Sequence, residues 1–419
     1  MYQVYVLVPR SIEEDSASKT ASWDLLGPKG KNIHAALTLF GVSTDNAFNT
    51  HNDRRSNFTL LLIPELWLNA PRTERAEAPG GLEPRASGGI IVDPYFGGLG
   101  AGYLANLYYR TDIPLNASSS SPYGSTPSHR IAGGLALAGN RFSISVSDQF
   151  DKSYQEKEAG MVIGDGTRDR YDANRLNARV IFDSKNRLIL SIDFVDYRIT
   201  YHNQGRLSDD RHDYGLIPAV RYRMTPKINL LFEYEYTDIS YEDIGDQNSR
   251  EHYMTGGLEW KFTEKSRGYI KAGYELKRFG RTGATYSGFS FSARGEHRLT
   301  PKTSIGLEAF RRTTETRMTG TSYAVSTGAE LSLSHMLTSR ITSGIRLAYW
   351  NDAYRGTHEE DLSDTFVRED ICQAGITFQY AFRRWLTARA GYTYTFKDSS
   401  DPDLDYRTNT VFLGMTGSF

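Results

Sequence analysis

The sequence predicts an all-β chain closed into a transmembrane antiparallel β-barrel, and three observations predict it. Apolar residues recur at every second position in segment after segment from Gly88 onward. The connections between these segments alternate short and long. Charged residues keep to one of the two faces that the alternation defines. A period of two marks a strand with one oily face and one wet face. Strands of about ten residues with that pattern, short periplasmic turns and long extracellular loops describe an outer-membrane-type barrel. A soluble β-sandwich is the competing reading.

Residues 1–87 differ from the rest and read as an N-terminal extension. Periodicity is weak through Thr50. Arg54-Arg55, then Phe58 to Ile63, then Ala76-Glu77-Ala78 supply the basic, apolar and small-residue parts of a secretory signal. The expectation is cleavage near residue 78, with a disordered or plug-like periplasmic extension as the alternative. Residues 88–419 are then the barrel.

From Gly88 the oily faces follow in order. They begin with Ile131/Gly133/Leu135/Leu137, Phe142/Ile144/Val146, Leu176/Ala178/Val180/Phe182 and Leu188/Leu190/Ile192/Phe194. Leu216/Pro218/Val220/Tyr222, Ile228 to Tyr236, Met254 to Phe262, Ile270 to Leu276 and Phe289/Phe291/Ala293 continue the pattern. Ile305/Leu307/Ala309, Val325 to Leu333, Ile341 to Tyr349, Ala374 to Tyr380, Leu386 to Phe396 and Val411 to Phe419 complete it. The final segment should be paired, because an open apolar edge in water is an aggregation hazard. Seven short turns, among them Gly139-Asn140, Thr225-Pro226-Lys227 and Thr300-Pro301-Lys302, join fourteen strands. One further strand at each end gives 16 strands. Gly89 to Arg110 is long enough to hide more, so 18 is the alternative.

Composition narrows the function. Hydrophobic residues make up 39% of 419, and no run of about 18 apolar residues provides a membrane helix. Mean hydropathy is −0.50, which a barrel tolerates because only every second residue meets lipid. The net charge of −1 gives no reason to expect a nucleic-acid partner. The single cysteine, Cys372, reads as a small hydrophobe on the oily face. G-x-S-x-G, H-E-x-x-H and P-loop motifs are missing, and the histidines are scattered over loops and turns without metal-ligand spacing. The expectation is therefore no enzyme, no cofactor and no metal. The acidic loop His358-Glu-Glu-Asp361 reads as solvated rather than as a cation site.

If the oily face meets lipid, the intervening residues face the lumen. The lumen-lining candidates are Arg175, Arg179, Arg221, Arg223, Glu233, Glu235, Glu259, Lys261, Lys271, Glu275, Arg294, Glu308, Glu330, Arg346 and Arg389. Lys277 and Glu296 share that face. A charge at mid-membrane on the lipid face costs about 2–4 kcal/mol, so the segregation supports the assignment. Mixed signs allow cross-strand pairing that braces the wall. The same groups are suited to hydrogen-bond the hydroxyls and carboxylates of passing sugars. Phe310, Phe412 and Trp385 are the candidate stacking rings.

Thr225-Pro226-Lys227, Glu233 to Tyr236, Gly256 to Trp260 and Gly273-Tyr274 form one part of a family pattern. Leu299 to Lys302, Tyr380 to Leu386, Gly391 to Tyr394, Asp398-Ser399 and Asp405-Tyr406 with Asn409 form the other. Together they resemble the outer-membrane β-barrel porins of bacterial exopolysaccharide biosynthesis clusters, over roughly residues 90–419. The resemblance implies a barrel of about eighteen strands that passes secreted polysaccharide and works with a periplasmic polysaccharide export protein. Phe419 resembles the C-terminal aromatic that the outer-membrane assembly machinery reads. A diffusion or nutrient-uptake porin, or a structural or adhesive barrel, are the alternatives.

Overall fold

The alternation closes into a ring. The computed structural model describes residues 32–71, 79–89, 102–116, 126–156, 168–202, 209–242, 247–263, 265–316, 321–356 and 367–419. Its strands are β1 (Ile33–Thr44), β2 (Asn57–Ala70), β3 (Gly102–Pro114), β4 (Ser128–Ala138), β5 (Phe142–Glu156) and β6 (Arg168–Asp183). They continue with β7 (Leu188–Tyr201), β8 (Arg211–Thr225), β9 (Ile228–Tyr241), β10 (Ser249–Thr263), β11 (Ser266–Phe279) and β12 (Thr285–Thr300). The last six are β13 (Thr303–Glu315), β14 (Tyr323–Met336), β15 (Ile341–Arg355), β16 (Val367–Arg383), β17 (Leu386–Ser399) and β18 (Tyr406–Ser418). Each strand pairs antiparallel with its neighbours in sequence. β18 pairs back onto β1, from Thr44↔Thr410 to Ala36↔Ser418. Phe419 completes that seam: its N–H donates to the Ala35 carbonyl at 2.7 Å, and the Ala35 N–H donates back at 3.2 Å. Closure leaves no edge strand and satisfies the backbone inside the wall, the condition for a strand to cross lipid.

The barrel therefore has 18 strands, the alternative count, and not 16. The two additional strands come from an unexpected place. They are β1 and β2, inside the region expected to be an extension, while the described residues of Gly89 to Arg110 contribute β3. The barrel thus begins at Ile33 and not near residue 88. The apolar run expected to be the core of a signal, Phe58 to Ile63, is the middle of β2. Phe58 is exposed outward, whereas Leu61 and Ile63 are buried facing in. Both faces of β2 are apolar here because Trp67 faces inward and packs on Tyr108 of β3 and Ala36 of β1. That inner cluster erased the alternation that would have marked a strand. The expected cleavage site near Ala78 lies outside the described residues, as does the His358 to Asp361 loop.

Strands are also longer than the sequence suggested, reaching 17 residues in β16. The additional length lies at the long-loop end, where the outer face turns polar. Tyrosines mark the change. The hydroxyls of Tyr236, Tyr349 and Tyr392 reach Asp238 at 3.2 Å, Asp370 at 2.5 Å and Asn409 at 2.6 Å. A ring body in lipid with a hydroxyl in the headgroup layer is the interface geometry of a barrel girdle. Beneath it the outer face carries a continuous set of exposed residues including Leu190, Phe232, Leu258, Leu347 and Leu413. An apolar surface that extensive is stable only against a bilayer. Exposed Cys372 belongs to this outer face.

Besides register shifts beside four of the short turns, the described ladders depart from regularity in three places. Pro64 in β2 and Pro218 in β8 interrupt the ladders to β3 and β9, since proline has no N–H to give. The third departure is larger. The β12–β13 ladder stops at Phe291↔Arg311, although β12 reaches back to Thr285 and β13 runs on to Glu315. The β13–β14 ladder continues to its tip at Glu315↔Tyr323. Four successive residues there, Tyr323, Ala324, Val325 and Ser326, are buried. A wall strand hides alternate residues; this hairpin tip hides both faces because it has left the wall and folded into the lumen.

Candidate functional site

Seven connections of two to four residues mark one end of the barrel, the periplasmic end by the topology rule for such barrels. The connection from β2 to β3, residues 71–101, is the long exception at that end. Its described part, residues 79–89, lies inside the lumen. The Pro79 and Gly80 carbonyls accept from Arg130 of β4 at 3.0 Å and Gln149 of β5 at 2.8 Å. The Leu82 N–H donates to Asp151 of β5 at 2.7 Å. Arg85 donates to Asp352 of β15 at 2.9 Å and to Thr314 of β13 at 3.3 Å. The chain then returns toward β8 and β6. Arg211 donates to the Ala86 carbonyl at 3.1 Å, the Gly88 N–H donates to Asp213 at 2.8 Å, and Arg175 donates to the Gly88 carbonyl at 2.8 Å. β4 and β13 stand nine places apart in a ring of eighteen, so the segment crosses the lumen from wall to wall. Its contacts lie close to the long-loop ends of those strands, so it reaches into the extracellular half.

Local chemistry explains why it stays there. Leu82 is 1% exposed and sits among Tyr171, Val195, Tyr197, Ile199 and Ile217 on the inner face of β6 to β8. Burying one leucine contributes about 1.5–3 kcal/mol. Gly88 and Gly89 adopt φ of +68° and +78°, a region open to glycine at little cost. A Cβ on Gly89 would overlap the ring of Tyr197. Arg211, which holds the Ala86 carbonyl, lies over that same ring at 5.5 Å and is paired with Asp213 at 2.9 Å.

The folded-in tip of β13 supplies the other half of the constriction. The Lys277 ammonium lies 2.9 Å from Glu251 and 2.5 Å from Glu315. Tyr241 donates to the second oxygen of Glu315 at 2.5 Å, and Thr313 donates to Glu251 at 3.0 Å. The Thr313 N–H donates to Glu275 at 3.2 Å. Arg312 donates to Glu235 at 3.2 Å and stacks over Tyr253 at 4.9 Å. The tip's aromatic side, Tyr323, packs on Phe279 and Tyr286 at ring separations of 5.5 and 5.3 Å. Charges this deeply buried gain little net energy from pairing, but losing one partner costs about 3–5 kcal/mol. The cluster therefore fixes one orientation of the tip.

The lumen-lining candidates lie on the face opposite the exposed apolar one. Arg221 is bound to Glu259 at 3.0 Å and to Ser191 at 2.9 Å. Lys271 is bound to Glu233 at 2.5 Å, Arg179 to Asp193, and Arg346 to Glu330. Arg294 sits 3.5 Å from Glu296 and directly across the ladder from Glu308, which itself faces Glu330. Arg223 reaches Asp183 at 2.7 Å near the short-turn rim. Lys261, on the same rim, is exposed, while Arg389 lies opposite Gly414. These residues spread along the whole wall. Of the inward charges read from the sequence, Arg175, Glu235, Glu275 and Lys277 join the constriction. Of the proposed rings, Phe310 packs beside Trp350, and Phe412 lies 5.6 Å from Phe40. Trp385 instead occupies the two-residue turn between β16 and β17 and is exposed.

Arg85, Glu251, Glu315, Asp352 and Tyr197 were not anticipated. Glu315 and Asp352 fall in stretches that looked like connections, and Arg85 in what looked like an N-terminal extension. A signal was available for one of them: Pro79 to Gly89 carries glycines at 80, 81, 88 and 89, a composition that lets a backbone approach a wall closely. Among the described residues no group of His, Cys, Asp and Glu could hold a metal ion.

Residues 172–419 match the family model described as "Putative beta-barrel porin 2". Among solved structures, the chain is similar to OccAB4 of Acinetobacter baumannii, with 10% identity, 93% of this chain and 99% of that chain covered, and a TM-score of 0.46. It is also similar to OccK9 (OpdG) of Pseudomonas aeruginosa, at 10% identity, 92% and 98% coverage and a TM-score of 0.47. The siderophore receptor PirA of Pseudomonas aeruginosa gives 8% identity, 94% and 81% coverage and a TM-score of 0.43. Likenesses this distant carry no information about solute. No curated protein matches the chain.

Proposed function

This chain belongs to the β-barrel porin family, integral to the outer membrane, and from that premise we propose that it is a gated conduit for exopolysaccharide leaving the cell. One observation carries the reading: a connection rooted at the periplasmic end is seated across the lumen in its extracellular half. A general diffusion pore needs a lumen that stands open. A gate whose root faces the periplasm is within reach of a periplasmic partner, which suits the polysaccharide export protein implied by the resemblance. Hydrocarbon is impassable to a hydrophilic polymer, and a barrel of this strand number is wide enough for an aqueous path once the segment moves. The charged wall, paired within itself, lets a chain slide without tight capture, as conduction requires.

Deleting the gene tests this reading. The polymer should stop reaching the cell surface and build up in the periplasm while its synthesis genes remain intact. Normal surface polysaccharide in a strain with no second barrel of this type would transfer the protein to solute uptake.

A further inference from the structure

We infer that the lumen wall from β15 round to β1, on the periplasmic side of the constriction, is a track for an uncharged polyhydroxylated chain, so that the polymer is a neutral glycan. The inference rests on the export reading and adds the class of its substrate.

Two features carry this, the first confined to this wall and the second shared with the wall across the lumen. The first is its floor. Inward-facing glycines follow one another across the ladders: Gly375 lies opposite Thr393, Thr377 opposite Gly391, Gly391 opposite Phe412, and Phe40 opposite Gly414. Missing side chains leave a shallow depression bounded by Gly375, Thr377, Thr393 and Phe412. Phe40 lies over the bare backbone of Gly414, where a Cβ would come to 3.0 Å from its ring, and rests against Phe412. Phe412 is 2% exposed and only supports it; Phe40 is the half-buried ring that remains accessible. At the next inward-facing pair toward the periplasm, the Thr38 and Thr416 hydroxyls meet at 2.8 Å. A flat ring with hydroxyls beside it matches a pyranose, which has an apolar C–H face and a rim of hydroxyl groups.

The second feature is the electrostatics. Arg346, the cation at the edge of the depression, is taken up by Glu330 and Gln373. Across the lumen Arg179, Arg221 and Lys271 are each taken up by a carboxylate. Cations neutralised in this way do not concentrate a polyanion. A conduit for an acidic polymer would present unpaired cations toward its axis.

Equilibrium binding of maltohexaose and of hexagalacturonate to the purified barrel in detergent tests this. The neutral hexamer should bind at least about fivefold better than the acidic one, and Phe40→Ala should weaken maltohexaose by about five- to tenfold. Acidic binding that equals or exceeds the neutral, or a Phe40→Ala barrel that binds maltohexaose unchanged, overturns the track. If Phe40→Ala does not assemble, Thr377→Lys decides: it should bind hexagalacturonate more tightly than the parent, and equal binding places Thr377 off the track. Failure here, with surface polymer lost in the deletion strain, would leave export standing without a neutral track. The track intact with normal surface polymer would leave a sugar porin that does not export.

Discussion

Glu315 and Arg85 meet twice through the main chain side of the constriction. The Glu315 N–H donates to the Arg85 carbonyl at 2.8 Å, and Arg85 Nε donates back to the Glu315 carbonyl at 3.2 Å. The segment that enters from the periplasmic end is thereby fastened to the hairpin tip that folds in from the other. Residues 230 positions apart form one bar across the lumen.

Cutting that bar should open the pore. Arg85→Ala removes the donations to Glu315, Thr314 and Asp352. In planar bilayers the variant should show larger and longer openings than the parent, while the heat-modifiable shift of the barrel on detergent gels stays in place. Identical conductance traces would mean that the segment does not obstruct the path.

Lys277 is the countercharge of two buried carboxylates. Lys277→Met should leave Glu251 and Glu315 without a cation and cost about 3–5 kcal/mol. Thermal unfolding in detergent should move to lower temperature. An unchanged midpoint would show that the carboxylates find other partners.

Gly89 combines a positive φ with contact to Tyr197. Gly89→Ala should dislodge the segment and raise conductance. Adding Tyr197→Ala should restore part of the closure by removing the overlap, though not the φ strain. Gly283 has a φ of +71° with nothing near its Cβ position, so Gly283→Ala is the control for strain alone. If both single variants behave alike, the Tyr197 contact is not what seats the segment.

The outward register is testable at two points. Leu413 is exposed at mid-strand, and Leu413→Arg should cost about 2–4 kcal/mol, where Thr393→Arg on the inner face costs far less. Phe419, read as an assembly signal, ends the same outward register, and Phe419→Asp should leave protein in the periplasm. Membrane yields that do not separate Leu413→Arg from Thr393→Arg would reverse the two faces.

What the sequence reveals follows from the contrast between the faces. Along β16 and β17, Ile376, Phe378, Tyr392 and Phe396 alternate with polar or small residues, so strand, face and pairing could all be read. In β1 and β2 the inner face carries Phe40, Leu61, Ile63 and Trp67, so the contrast vanishes and the strands passed for an N-terminal extension. The candidate lumen charges were legible because a charge has a place only on the wet face. The constriction was not, because it depends on contacts such as Arg85 to Asp352, 267 residues apart, which no local period records.

The central claim is a polymer-wide path held shut by residues 79–89. Its most direct test is release of a fluorescent dextran from proteoliposomes reconstituted with the parent barrel or with a variant lacking residues 80–88. The parent should retain the dextran and the variant should release it. Equal rapid release from both would contradict the gate, and retention by both, with the barrel shown to be folded, would contradict the conduit.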